Sequence, residues 1–275
     1  MTKLIKAKGE ALQQQIYEDT VEKLPFPSVF RIEPAAKCNL ACSHCPTGTV
    51  DMVRGLMDEN VFKKTLSELK KNIDHIRVVV LYHGGEPLLN KRFYDMASSI
   101  RQLSDNLLIK TVTNGMSLNE RNAARLLDCG ISEVEISLDG MSPSESEEVR
   151  INSNAHRIIE NVKKLITIRD NSNSDLKISV CTTQFLRSKH DLKDPEKLNA
   201  KVPSWLINEF SDSVDYKPGI AMRWPHMIVV DKYELVFEDG EDKGFCDHPV
   251  NTITVRSNGD IVPCCYDLTS QLVMG

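Results

Sequence analysis

Short apolar runs alternate with amphipathic stretches along most of the chain. The apolar runs fall at about 28–33, 76–82, 107–113, 133–138, 177–183 and 213–218. Each has strand length and is rich in Val, Ile or Thr. Between them lie stretches with helical spacing, at about 58–71, 91–103, 118–128, 144–149, 154–170 and 203–210. Asp58-Glu59 puts acids into the first turn of one such helix, and Gly130 stops another. Strand–helix alternation of this kind predicts an α/β fold with a parallel sheet and right-handed crossovers. Pattern alone leaves a barrel and a doubly wound sheet both open.

The two ends read differently. Residues 2–20 have the spacing of an amphipathic helix, ended by Leu24-Pro25-Phe26-Pro27. Near the other end Thr252-Ile253-Thr254-Val255, the turn Ser257-Asn258-Gly259-Asp260 and Ile261-Val262 predict a β-hairpin. The expected division is an N-terminal helical extension over 1–27, an α/β core over 28–225 and a small hairpin region over 226–275.

Composition narrows the class. A length of 275 residues with 41% apolar content suits one large domain with a small appendage. The net charge of −5 supplies no basic field, so neither nucleic acid nor an anionic membrane is an expected partner. There is no secretory h-region and no run long enough to span a bilayer, so the expected location is the cytoplasm. Eight cysteines in that setting argue against a disulfide framework. Five of them fall in two groups, Cys38, Cys42 and Cys45, then Cys264 and Cys265, which points to metal.

The first group stands in Cys38-Asn39-Leu40-Ala41-Cys42-Ser43-His44-Cys45, just after a strand that Glu33 ends. Three thiolates in so short a loop are soft ligands for either an iron–sulfur cluster or zinc. Zinc would take His44 or a distant residue as its fourth ligand. A cubane held by three cysteines would leave one iron open. The second strand ends in His83-Gly84-Gly85-Glu86-Pro87. Paired glycines let backbone turn sharply and approach a ligand closely. They also carry the Glu86 carboxylate to a strand's C-terminal end, where α/β proteins place ligands.

In this order, the two motifs resemble the radical S-adenosylmethionine (SAM) superfamily. Its signature is C-x3-C-x-Φ-C, and His44 occupies the usually aromatic Φ. The resemblance implies a partial (β/α)6 TIM-like barrel with its sites at the C-terminal strand ends. It implies a [4Fe–4S] cluster on Cys38, Cys42 and Cys45, whose open iron binds SAM, with Gly84, Gly85 and Glu86 against SAM's amino group. It carries Asn114 over to the SAM site, and Ser137 and Asp139 to the ribose hydroxyls. Arg150 would fork onto SAM's carboxylate, a geometry that lysine does not supply. The glycines that usually follow this arginine are replaced here by Ile151-Asn152-Ser153. Cys181 reads as a small core residue or, if it faces the barrel, as a catalytic hydrogen-atom donor. Tyr82 and Glu33 are candidates for substrate contact.

Cys246, twelve residues, Gly259, four residues and Cys264 resemble the start of the auxiliary-cluster regions called twitch in short form and SPASM in long form. Those regions take further cysteines downstream. The region therefore reads as truncated, with Cys264 ranked above Cys265 as a ligand beside Cys246. The resemblance implies an enzyme that reductively cleaves SAM to a 5′-deoxyadenosyl radical and removes a hydrogen from a substrate carbon. A donor such as flavodoxin or ferredoxin would supply the electron. In length and in the final Leu272-Val273-Met274-Gly275 the chain resembles cyclitol dehydrogenases of the twitch group. That implies an oxidoreductase acting on a secondary alcohol of a sugar or cyclitol. One alternative is a peptide- or sugar-modifying epimerase or crosslinking enzyme; the 27 residues before the first strand are too few for a leader-binding domain. Another is a non-catalytic iron–sulfur or zinc protein, which has no need of Gly84-Gly85-Glu86.

Overall fold

The computed structural model describes residues 26–224, 233–234 and 248–275. The helix expected over 2–20 and Cys246 lie outside the described residues.

The strands are β1 (Val29–Ile32), β2 (Ala41–Cys42), β3 (Val78–Leu81), β4 (Leu108–Thr113), β5 (Glu133–Ser137), β6 (Arg150–Ile151), β7 (Lys177–Gln184), β8 (Asp215–Ile220), β9 (Thr252–Val255) and β10 (Ile261–Val262). The principal helices are α1 (Glu59–Lys71), α2 (Phe93–Arg101), α3 (Glu120–Asp128), α4 (Pro143–Val149), α5 (Ala155–Asn171) and α6 (Ser204–Phe210). Four of them start where the sequence supplies a cap. The side chains of Asp58, Asn119, Ser142 and Asn154 accept from backbone N–H groups three residues on. Past the end of α3, Gly130 takes φ +82°, the left-handed geometry that closes a helix.

β1, β3, β4, β5, β7 and β8 pair in that order, all parallel, as the strand–helix alternation predicts. Side chains alternate across the sheet. Val134 and Ile136 of β5 join a buried core with Leu126, Ile158 and Leu165 from the helices. Glu133, Glu135 and Ser137 take the opposite face. In β7, Ile178 and Val180 join the same core. Ser179, Cys181 and Thr183 turn the other way. The fold is thus α/β, a mostly parallel sheet in the form of a partial TIM-like barrel. Among the described residues no helix is long and apolar enough to cross a membrane.

Two pairings go beyond the hydropathy pattern. The C-terminal strands form the expected hairpin, β10 antiparallel to β9 with Gly259 at φ +98° in the turn. However, β9 also pairs in parallel with β1 along its whole length, from Val29↔Thr252 to Ile32↔Val255. Ser28 fixes that register by donating to Asn251 Oδ1 at 2.7 Å. The sheet order is therefore β10-β9-β1-β3-β4-β5-β7-β8. Separately, β2 and β6 make a short antiparallel ribbon that sets Cys42 opposite Arg150.

Candidate functional site

The C-terminal ends of β3, β4, β5, β7 and β8, with the cysteine loop that follows β1, surround a cavity of about 290 Å³. Its walls hold all three thiols of the cysteine loop, Cys38, Cys42 and Cys45. They also hold Gly84, Gly85, Glu86, Asn114, Ser137, Asp139 and Arg150 from the strand ends. His44, Tyr82 and Cys181 share the same space. The sequence-predicted residues from six separate segments thus meet around one volume.

The cysteine loop is held by its own backbone. Cys45 N donates to Cys42 O at 3.2 Å, and a short helix, Pro46–Thr49, follows. A Cβ at Gly48 would strike the Cys42 backbone, so the turn requires glycine there. Leu40 N donates to Cys38 Sγ at 3.4 Å. Asn114 Nδ2, from the end of β4, donates to Asn39 Oδ1 at 2.9 Å and lies 3.8 Å from Cys38 Sγ. Burial pushes the Cys42 thiol up to about 12 and also raises Cys38. Binding a metal would displace those protons. Among the described residues no three His, Cys, Asp or Glu side chains converge on a single metal-ion position. A cubane takes each thiolate on a separate iron, so its ligands need not meet at one point.

The glycine loop packs against the approach to the cysteines. Glu86 N donates to Lys37 O at 2.8 Å, and Thr47 Oγ1 donates to Gly84 O. A Cβ on Gly85 would collide with the carbonyls of Ala35 and Lys37. The Glu86 carboxylate is buried and accepts from Leu88 N at 3.1 Å, Thr113 Oγ1 at 2.7 Å and Asn114 N at 2.7 Å. Burial raises its pKa despite these donors. Glu86 therefore ties the end of β3 to the end of β4 while it lines the cavity.

A second charged centre stands across the cavity. Arg150 Nη1 donates to Asp139 Oδ2 at 2.6 Å, and Thr183 N donates to Asp139 Oδ1 at 2.9 Å. His44 Nε2 lies 3.3 Å from Asp139 Oδ2. Burial opposes the Asp139 charge, but Arg150 and His44 hold the carboxyl well below the usual range. Arg150 Nε is buried and has no hydrogen-bond partner. The His44 ring meets Phe185 edge-on at 5.1 Å.

Cys181 faces the barrel and donates to Glu135 Oε2 at 3.4 Å. Tyr82 lines the cavity, and burial raises its hydroxyl pKa. Glu33 does not serve as a substrate contact. It is 0% exposed, and its oxygens accept from Gly84 N, Ser257 N and Arg256 Nε. Those three donors use the carboxylate for structure. Cys264 and Cys265 lie on the C-terminal tail and do not line the cavity. The next residue, Tyr266, packs its ring 5.0 Å from Trp224, which does. Cys246 is outside the described residues, so its distance from Cys264 is not defined.

Thr113, Glu135 and Arg256 also hold the site together and were not singled out in the sequence, whereas Thr183 stands at a strand end where the sequence places the site. The signal for Thr113 and Glu135 is positional, since one stands at a strand end and the other on the inward face.

The chain is similar to several proteins of known sequence or structure. Molybdenum cofactor biosynthesis protein 1 of Bos taurus is 30% identical over 213 residues, 76% of this chain. The chain spans 31% of that protein's length. A GTP 3′,8-cyclase of Sulfurovum sp. (strain NBC37-1) is 21% identical over 262 residues, covering 86% of this chain and 78% of that protein. Among solved structures, Streptococcus suis SuiB bound to S-adenosylmethionine matches with a TM-score of 0.60 at 15% identity. That match covers 97% of this chain and 67% of the SuiB chain, and it speaks to the fold. The sequence pattern of the radical SAM superfamily itself matches residues 32–176, a segment that runs from β1 through the cysteine loop to α5, and the chain belongs to that superfamily.

Proposed function

We propose that this chain is a radical SAM enzyme that takes a hydrogen atom from a carbon of a small, polar substrate and returns one from Cys181. The family implies a [4Fe–4S] cluster and SAM. The residues present fit both. Cys38, Cys42 and Cys45 would hold the cluster, since three thiols line one cavity beneath a tightly turned loop. Arg150 would hold SAM's carboxylate, because its buried Nε lacks a partner at the cavity wall. When bound, the pair supplies one-electron reductive cleavage of a carbon–sulfur bond, and hence the means to attack an unactivated C–H bond.

The chain's own residues do the rest. Glu86 braces β3 against β4 and presents the glycine loop to SAM's amino group. Asp139 orients Arg150 and His44. Ser137 offers a hydroxyl to the ribose, and Asn114 steadies the Cys38 side of the loop. Tyr82 closes the wall on the β3 side.

The observation that carries the hydrogen return is the Cys181 thiol in the cavity wall, hydrogen-bonded to Glu135. Burial and the Glu135 charge raise its pKa, so it stands as S–H, the form that donates a hydrogen atom. Oxidation of a sugar or cyclitol alcohol is the second reading, with an auxiliary cluster on the tail cysteines as electron acceptor. It rests on the tail resemblance. The names of the relatives, a cofactor-biosynthesis protein and a GTP cyclase, support a small polar substrate in either case. A flavodoxin- or ferredoxin-class donor would supply the electron.

Protein reconstituted without oxygen should be brown, and adding SAM should change the EPR spectrum of its reduced form. Replacing Cys38, Cys42 and Cys45 with alanine should abolish SAM cleavage. Stoichiometric zinc without iron would defeat the proposal. With substrate in deuterated water, hydrogen return puts deuterium on the reacting carbon and Cys181→Ala loses it; oxidation fixes none.

A further inference from the structure

The inward face below Cys181 carries a layer of charge. Lys217 Nζ lies 2.5 Å from Glu133 Oε1 and 2.5 Å from Glu135 Oε1. Lys110 Nζ lies 2.7 Å from Glu133 Oε2 and 3.7 Å from Glu135 Oε1. Ser179 donates to Glu133 Oε1 at 3.0 Å. Two ammonium groups and two carboxylates therefore balance each other across β4, β5 and β8. The other oxygen of Glu135, Oε2, takes the Cys181 thiol.

This layer connects the cavity to solvent. Cys181 lines the cavity and Lys217 does not. Side-chain exposure rises from 5% at Glu133 to 19% at Glu135 and 38% at Lys217. A continuous line of hydrogen bonds thus leads from the thiol, through one carboxylate, to a partly hydrated ammonium. Burial and Glu135 raise the thiol pKa. Burial works against the Lys217 charge, but Glu133 and Glu135 raise its pKa overall.

We propose that Glu135 and Lys217 form the proton path that refills the Cys181 thiol after it has given up its hydrogen. The proposal rests on the reading of Cys181 as hydrogen-atom donor. In that reading the S–H bond breaks homolytically, the hydrogen atom joins the substrate carbon, and a thiyl radical is left. Restoring the thiol takes one electron and one proton. The electron comes from the same flavin or iron–sulfur class of donor that reduces the cluster. Lys217 gives a proton to Glu135 Oε1, the resulting carboxyl group turns to carry that proton to sulfur, and Lys217 recovers its proton from water. Glu135 is then a positioning and relay residue that touches the thiol and not the substrate.

The path is testable without substrate. Cluster-loaded protein is held without oxygen or reductant, with SAM added to fill the cavity, and is moved into deuterated water. Infrared spectroscopy follows loss of the Cys181 S–H stretch, identified by subtracting the Cys181→Ala spectrum. In the parent protein exchange should be complete early. Glu135→Gln should slow it by at least about tenfold, Lys217→Met likewise, and Glu135→Asp should retain most of the rate. Circular dichroism and iron content confirm that each variant is folded and loaded. Where Lys217→Met fails to fold, Glu135→Gln decides alone, because Lys217 keeps Glu133 as its partner. Exchange at the parent rate in Glu135→Gln would overturn the path. A Cys181→Ala enzyme that still fixes solvent deuterium in product would instead overturn the hydrogen-donor reading, whatever the exchange rate.

Discussion

Arg256 Nε lies 2.8 Å from Glu33 Oε2, in a buried ion pair that joins residues 223 positions apart. The same carboxylate accepts from Gly84 N and Ser257 N. One side chain at the end of β1 thereby holds both the glycine loop and the hairpin turn. Arg256→Met would leave that carboxylate buried and unpaired. We expect a loss of about 3–5 kcal/mol, read from denaturant unfolding. Burial opposes ionisation of Glu33, but Arg256, with His83 and the Ser257 N–H, more than offsets it, so the folded pKa is lowered. A lowered carboxylate pKa contributes stability above the unfolded value, near ~4.3, and loses it as pH falls through the folded one. Acid unfolding should therefore begin at higher pH in Arg256→Met, and an unmoved acid midpoint would contradict the pairing.

Glu86→Gln puts an amide where three donors now meet a carboxylate. At least one N–H or O–H must then face an NH2 group, at a cost of about 1.5–3 kcal/mol. The melting temperature should fall. SAM affinity should fall by at least about tenfold, while iron content stays normal. Calorimetry and thermal melts check both. A variant with lower SAM affinity and an unchanged melt would mean that Glu86 does not brace the strands.

Gly85→Ala tests the close approach of the two loops. The added methyl would collide with the Ala35 and Lys37 carbonyls, which are backbone and cannot swing aside. Iron loading should drop sharply, because the same contact positions the cysteine loop. Gly55→Ala is the control, since a Cβ there meets nothing within 4 Å. Equal iron content in the two variants would rule the approach out as a requirement.

Arg150→Lys keeps the charge beside Asp139 but loses the buried Nε–H. SAM affinity should fall by at least about tenfold with little change in the melt. Asp139→Asn removes the anion that Arg150 and His44 share and should lower the melt instead. Titration calorimetry beside thermal melts separates the two, and unchanged SAM affinity in Arg150→Lys would remove Arg150 from the pocket.

Much of this was legible in the residues. Glu133-Val134-Glu135-Ile136 alternates in sequence, and the structure alternates it between the two faces of β5. The same parity, carried along Ile178 and Val180, turns Cys181 inward. The hairpin turn was legible because Asn258-Gly259 supplies a residue that tolerates positive φ. The partner of β9 was not, because Thr252-Ile253-Thr254-Val255 fits a buried strand without naming its neighbour. Glu33 looked like a substrate contact because a strand-end carboxylate invites that reading. Its true partner, Arg256, is far away in sequence, and local pattern holds no record of such pairs. Asp139 and Arg150 were each read toward SAM separately, and their mutual ion pair depends on the two-residue ribbon of β2 and β6, too short to leave a periodic signal.

The parallel pairing of β9 with β1 also bears on self-association. A six-stranded partial barrel would expose β1 as an edge, a row of unpaired backbone groups able to recruit a strand from another chain. Here β9 covers β1 along its full length. Outside β9 the sheet narrows to the two residues of β10, whose Ile261 exchanges hydrogen bonds with Met274 and Gly275. At the opposite edge β8 carries Pro218 between Lys217 and Gly219, so its ladder of donors is broken in the middle. Among the described residues one edge is thus tapered and the other interrupted, and neither offers the long, flat, uninterrupted backbone on which chains stack into aggregates.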